Sequence, residues 1–216
     1  MEALSLLPAK DRALLCGYLT ASRLITDAGY GCDIDWAESL GCKKLTPQEV
    51  MSECAWVVVN SGFRFAVVRK LWPGLRVAFH DFDPALVDGS CVEPARRHLG
   101  HMGKLKAIVA IAAEVRRDCA AIVADAREPK KLMRLPYIGK ITCYHLAKVL
   151  GADVVKPDVH LTRAAAAVAT TPDELCRSIG ALTGDRVTVV DSVLWRYGEQ
   201  RVARGWADWP QLWQEE

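Results

Sequence analysis

At 216 residues and 51% hydrophobic composition, the chain can bury a sizeable core, in one domain or in two small lobes. A formal net charge of only +2 excludes a histone-like binder that works by bulk charge; a nucleic-acid partner would have to be met by Lys and Arg focused on one face. No stretch is long and apolar enough to cross a membrane, and the N-terminus, MEALSLLPAKDR, carries an early Glu and does not read as a signal peptide.

The predicted elements are helical throughout. Residues 9–28 place Leu14, Leu15, Leu19, Leu24 and Ile25 at near-helical spacing, and Gly29-Tyr30-Gly31 breaks the run. CDIDWAESLGCKK, with an apolar Trp36, reads as irregular or shortly helical. Thr46-Pro47-Gln48-Glu49 is a helix start: a capping Thr, Pro at the first position and Glu closing the box. That helix is apolar nearly all round from Ala55 to Val59 and is interrupted at Asn60-Ser61-Gly62. Phe63 to Trp72 resumes the period, and Pro73-Gly74 reads as a turn. Asp83-Pro84 opens a short helix, DPALVDG, and another is expected from Glu93 to Leu99. Gly103 to Val115 is strongly amphipathic through Leu105, Ile108, Ile111 and Val115, with a less regular continuation over 116–127.

Residues 129–151 read as two short amphipathic helices around a tight turn. Leu132, Met133 and Leu135 give the first its apolar face, Pro136-Tyr137-Ile138-Gly139 makes the turn, and Ile141, Leu146 and Val149 give the second its face, ended by Gly151. Gly139 lets a backbone come close to a partner. The second helix starts with free N–H groups beside Lys140, which makes an anion site, with phosphate the obvious anion. Lys130, Lys131, Arg134, Lys140 and Lys156 surround it. Asp158 follows Pro157 and precedes HLTRAAAAVA, so it stands at a helix start. Thr171-Pro172-Asp173-Glu174 repeats the capping chemistry of 46–49. Near Asp185 a last long helix begins, with Val187, Val190, Leu194 and Tyr197 on its apolar face. The tail, GWADWPQLWQ, carries three Trp that read as packing residues. No convincing strand appears, and the fold class is all-α.

The eight Cys (Cys16, Cys32, Cys42, Cys54, Cys91, Cys119, Cys143 and Cys176) form no C-x-x-C and no zinc-finger spacing, and read as reduced thiols of a cytosolic protein.

LPYIG-K-x-T, a helix ending in Gly, and then V-x-P-D-x-H-x-x-R resemble the helix-hairpin-helix DNA glycosylases. The resemblance implies two helical lobes with a DNA-binding cleft between them. The lobe 45–154 would carry the hairpin, about 128–151. The other lobe would combine 1–44 with 155–216 and hold the catalytic Asp. It implies a monomer acting on double-stranded DNA, cytoplasmic and nucleoid-associated, that flips a modified base and hydrolyses its N-glycosidic bond. SECAWVVVNSGFRFAVV, FHDFDPALV and KLKAIVAIAAEV, within 51–115, are more loosely similar to the 3-methyladenine glycosylases, which makes an alkylated purine the default substrate. An oxidised or mismatched base, and a bulky hypermodified phage base that would mean phage defence, are the alternatives. The zinc ligands of that branch have no counterparts here and no Cys follows Cys176, so neither zinc nor an iron–sulfur cluster is expected.

The resemblance assigns catalysis to Asp158, whose carboxylate would stabilise the oxocarbenium-like sugar and orient the attacking water; a plain helix N-cap is the other reading. Tyr137, Gly139, Lys140, Ile141, Thr142 and Lys156 are expected on the DNA backbone, with K+ or Na+ between hairpin carbonyls and phosphate. Tyr137 stands where relatives more usually have Gly, and alternatively only covers the turn. Bifunctional relatives place a lyase Lys directly before the Thr that matches Thr142. Here that residue is Ile141, and Lys140 lies about 100° away round the helix, so a monofunctional enzyme is favoured over a glycosylase/lyase using Lys140. Asn60, Ser61, Phe63 and Arg64 fall where relatives insert a wedge; Phe63 reads as a wedge, a pocket wall or, equally, a core residue. Tyr30, Trp36 and Trp56 are base-pocket candidates, with core packing as the alternative. His160 and Arg163 are candidates for catalytic support, DNA contact or purely structural roles. A hairpin DNA-binding protein without catalysis is the reading from a different class.

Overall fold

The computed structural model describes residues 6–41 and 44–214. The protein is all-α, with no strand among the described residues. In chain order the helices are α1 (Ala9–Ile25), α2 (Gly31–Ser39), α3 (Pro47–Asn60), α4 (Phe65–Ala78), α5 (Val92–Arg96) and α6 (Met102–Asp125). They continue with α7 (Thr142–Val149), α8 (Val159–Ala166), α9 (Pro172–Thr183), α10 (Val187–Arg204) and α11 (Trp209–Leu212). The chain divides into two compact units: Gly41–Ala152, and Met1–Leu40 with Asp153–Glu216. The second crossing falls before Asp153 rather than after residue 154. Asp153 accepts a hydrogen bond from the Thr188 N–H at 3.0 Å, which ties it to the start of α10.

In the Gly41–Ala152 unit, α3 starts with the capping box its sequence predicts: the Glu49 N–H donates to Thr46 Oγ1 and the Thr46 N–H to Glu49 Oε2. Its Val57, Val58 and Val59 are buried, as are Leu105, Ile108 and Ile111 of α6, which packs against it. The expected turn at Pro73-Gly74 is not there; α4 runs through both residues. Pro in a helix interior removes a hydrogen bond and costs about 3 kcal/mol. Aromatic packing offsets this: Trp72 stacks on Phe82 at 4.7 Å and meets Trp56 edge-on at 4.9 Å. Gly74 adds a close approach, since a Cβ there would stand 2.3 Å from His98 Nδ1. The expected DPALVDG helix is a single turn closed by the Ala85 N–H on Asp83 Oδ1. It follows three consecutive left-handed residues, His80, Asp81 and Phe82, braced by an Arg76–Asp81 ion pair and by the Gln48 side chain on the Asp81 carbonyl. The helix expected from Glu93 is α5. The helix expected over 103–115 runs on to Asp125, with a kink at Asp118.

The other unit is built round α10. Its Val187, Val190, Leu194 and Tyr197 are buried with Leu14, Tyr18 and Ile25 of α1, Leu161 of α8 and Ile179 of α9. Trp209 and Trp213 close this core and Trp206 packs against it. The predicted break after α1 is a π-helical turn, Thr26–Tyr30, with Gly29 at φ 88°. The stretch after it is regular helix α2 from Gly31. Of the cysteines, Cys42 lies outside the described residues; the others form no disulfide among the described residues. No helix among the described residues is long and apolar enough to cross a membrane.

Candidate functional site

Two separate groups of residues carry the candidate chemistry, one in each unit.

In the Gly41–Ala152 unit, the first expected hairpin helix is a 3-10 turn, Pro129–Arg134, followed by extended Leu135. Leu132, Leu135 and Ile138 are buried and pin this segment to the core, while Met133, expected on the apolar face, is exposed. A 3-10 turn eclipses every third side chain, so only part of the predicted stripe can face inward. Tyr137 takes the left-handed conformation, φ 64°, which costs a non-glycine residue roughly 1–2 kcal/mol. Its ring meets His101 edge-on at 5.7 Å, and its hydroxyl lies where a Cβ on Gly103 would be, 2.1 Å away. Tyr137 therefore docks on the first turn of α6, and this contact compensates the strained backbone.

Gly139 is not the left-handed residue of this turn. Its N–H is taken by Thr142 Oγ1 at 2.7 Å, and its carbonyl accepts from the Cys143 N–H. A Cβ on Gly139 would find only Thr142 Oγ1, at 3.9 Å, so the space in front of it is open. The backbone N–H groups of Lys140, Ile141 and Thr142 donate to no described residue. They stand at the start of α7, where the helix dipole is positive. Ile141, expected on the apolar face of this helix, precedes its first turn and is exposed. Of the surrounding cations, Lys131 pairs with Glu128, and Arg134 pairs with Asp125 and Glu114. Lys130 and Lys140 form no ion pair among the described residues, and Lys130 lies close enough to Cys143 to act on its thiol. Free positive charge and free N–H donors thus coincide at this one turn.

The break between α3 and α4 is also ordered. Gly62 is left-handed at φ 77°, and the Phe63 N–H returns to the Asn60 carbonyl. Phe63 is 37% exposed, and exposed Arg64 stands at the N-cap position of α4 without a capping side-chain hydrogen bond. Phe63, Leu71 and residues 98–103 line an open groove of about 680 Å³. Beneath Phe63 lies Lys104, 3% exposed, its burial lowering its pKa to about 8. Sequence reasoning missed Lys104, although it shares a helical stripe with Ile108, Ile111 and Val115, where a charge is out of place. Trp56 is half-buried and held edge-on by Trp72 and Phe65.

In the other unit, Asp158 caps α8. Its Oδ1 accepts from the N–H groups of His160 at 2.9 Å and Leu161 at 3.2 Å, while Oδ2 faces Lys156 Nζ at 3.3 Å. The loop that delivers it is fixed to α10: the Lys156 N–H donates to buried Asp191 at 2.6 Å, and Val155 is buried. The carboxylate side chain is 13% exposed. Lys156, expected on the DNA backbone, is thus Asp158's ion-pair partner. His160 is half-buried; desolvation lowers its pKa, with nearby Asp158 pulling the other way. Arg163 is exposed on the same helix. Tyr30 lies between two guanidinium groups, Arg196 at 4.5 Å and Arg204 at 5.4 Å, and Arg196 also pairs with Asp33. Trp36 is 43% exposed and does not pack into the core. No group of three potential metal ligands occurs among the described residues.

Comparison of the chain with protein-family models, curated proteins and solved structures finds no match.

Proposed function

We propose that this protein is a monofunctional DNA N-glycosylase of the helix-hairpin-helix type. The observation that carries the reading is the exposed turn at 139–142: unpartnered N–H groups on Lys140, Ile141 and Thr142, open space at Gly139 and an unpaired Lys140 ammonium. Such a turn suits a phosphate oxygen, which needs donors, positive potential and no side chain in the way. Phosphate contacts of this kind hold a duplex in register without reading its sequence.

The chemical step is assigned to Asp158. As the base leaves with the bonding electrons, positive charge develops on the sugar carbon, and a fixed carboxylate offsets it without reorganising. The carboxylate can also take the proton of the attacking water, whose oxygen forms the new bond to that carbon. Oδ1 is occupied by capping bonds, so Oδ2 is the oxygen left for this work, and Lys156 would have to move aside or turn to a phosphate. The base would be flipped from the stack first. An alkylated purine is the substrate proposed, with a bulky hypermodified phage base as the alternative. K+ or Na+ would sit between the turn's carbonyls and the phosphate. The protein would act as a monomer in the cytoplasm, at the nucleoid.

One observation favours a second reading. Every side-chain bond of Asp158 among the described residues is a helix cap or a local ion pair, as expected of a DNA-binding protein without catalysis. A panel of duplexes with alkylated, oxidised, mismatched and hypermodified bases separates the two. Release of a free base, detected by mass spectrometry, supports the glycosylase; DNA binding with no base released from any substrate supports the binder. Borohydride trapping of a covalent complex through Lys140 would show a lyase instead of a monofunctional enzyme.

A further inference from the structure

Lys104 spends its charge on one loop. Its Nζ donates to the Val59 carbonyl at 2.9 Å and to the Ser61 carbonyl, and it lies 4.7 Å from the centre of the Phe63 ring. No carboxylate pairs with it among the described residues. Val59 is in the last turn of α3, where helix carbonyls lack partners and a cation is favourable. Ser61 and Phe63 lie just past that end. The three contacts therefore bracket the break between α3 and α4 and nothing else.

Burying an ammonium is costly, and an apolar residue of the same volume would fill this part of the core at less cost. What an apolar residue could not do is hold two successive carbonyls and the face of an aromatic ring from one point. Phe63 is held in this way and is also part of the lining of the groove that Leu71 and residues 98–103 share. A half-exposed aromatic ring on a left-handed glycine loop would sample several rotamers if nothing fixed it.

We infer that Lys104 is a positioning residue, whose ammonium fixes the Asn60–Arg64 turn so that Phe63 enters and fills the gap left in a duplex when a base is extruded. This rests on the glycosylase reading and assigns Phe63, rather than Asn60, Ser61 or Arg64, as the residue that fills the gap. Lys104 acts only through Phe63 and touches no DNA.

The test uses the full chain and a duplex with a tetrahydrofuran abasic analogue opposite 2-aminopurine, whose fluorescence reports stacking beside the gap. Wild type is expected to prefer this duplex to an intact one and to change the fluorescence on binding. Lys104→Met and Lys104→Gln should bind it within about threefold of wild type but lose about tenfold of the fluorescence response, as Phe63→Ala does. Lys104→Arg, which keeps a charge able to serve both carbonyls and the ring, should restore most of the response. A full response in either neutral variant overturns the inference, as does a full response in Phe63→Ala. Loss of the fold in both neutral variants would also overturn it, because Lys104 would then support the whole unit rather than the loop. A wild type that does not distinguish the abasic duplex from the intact one marks failure of the glycosylase reading itself.

Discussion

Gly198 of α10 leaves no room for a side chain beneath His160 of α8: a Cβ there would stand 2.9 Å from His160 Cβ and 3.0 Å from its Nδ1. Trp209 crowds the same point at 2.9 Å. The His160 N–H is one of the two donors that hold Asp158 Oδ1, so the spacing of α8 and α10 also sets the position of the carboxylate. Gly198→Ala is expected to destabilise the protein by about 1–3 kcal/mol, the usual cost of overpacking. For a chain of this size that corresponds to a fall in Tm of a few degrees per kcal/mol, roughly 2–4 °C. Calorimetry measures it, and an unchanged Tm would mean that α8 is free to shift.

Asp158 has two separable roles, and substitution can tell them apart. Asn can still accept the capping bonds from His160 and Leu161, so Asp158→Asn should keep the fold to within about 1 kcal/mol and keep DNA binding. It removes the negative charge, and base release should fall by roughly 10²–10⁴-fold. Asp158→Ala should lose the cap as well, costing about 1 kcal/mol. Single-turnover excision alongside urea unfolding makes the comparison. Excision retained in Asp158→Asn would remove this residue from the mechanism.

Local chemistry was readable from sequence wherever one segment decides its own structure. The Thr46/Glu49 and Thr171/Glu174 boxes, the apolar face of α10 and the capping place of Asp158 all form as the residues dictate. What could not be read depends on distant partners. Pro73 stays inside α4 because Trp72 finds Phe82 and Trp56. The left-handed run His80–Phe82 has no glycine to announce it. Tyr137 takes over the left-handed role because Gly103, thirty-four positions earlier, makes room for its hydroxyl. Gly139, read from sequence as a place where a partner can come close, lies outside the left-handed region and has open space in front of it.

Acidity should act on stability through Glu53. Burial, with a smaller contribution from Glu49, raises its pKa to about 7 from an ordinary 4.5. A carboxyl raised in the folded state binds its proton more tightly there than in the unfolded chain. Its contribution is complete below about pH 4.5 and is lost as pH rises through 7. His160 works in the opposite sense: its lowered pKa means that stability falls as pH drops below about 6.5, where the unfolded chain takes up the proton first. Glu53→Gln isolates the first effect. It should stabilise the protein at pH 8 by roughly 1–3 kcal/mol and make almost no difference at pH 4. Urea unfolding of both proteins across this range measures the difference, and an equal offset at both ends would rule out titration of Glu53.

The turn at 139–142 should separate binding from folding. A methyl group on Gly139 meets nothing nearer than Thr142 Oγ1, and the residue lies outside the left-handed region. Gly139→Ala should therefore leave stability unchanged or raise it by about 0.4–1 kcal/mol, through the reduced freedom of the unfolded chain. The same methyl would stand where the phosphate oxygen is proposed to sit, and DNA affinity should fall by about tenfold, or 1.4 kcal/mol. Lys140→Ala should weaken binding in a different way, lowering the slope of log K against log salt by about 0.9, as expected for one lost phosphate contact. Fluorescence anisotropy at several salt concentrations reads both variants. A Gly139→Ala protein that binds DNA as tightly as wild type would show that the backbone of this turn does not face the phosphate. A Lys140→Ala protein with an unchanged salt slope would show the same of its side chain.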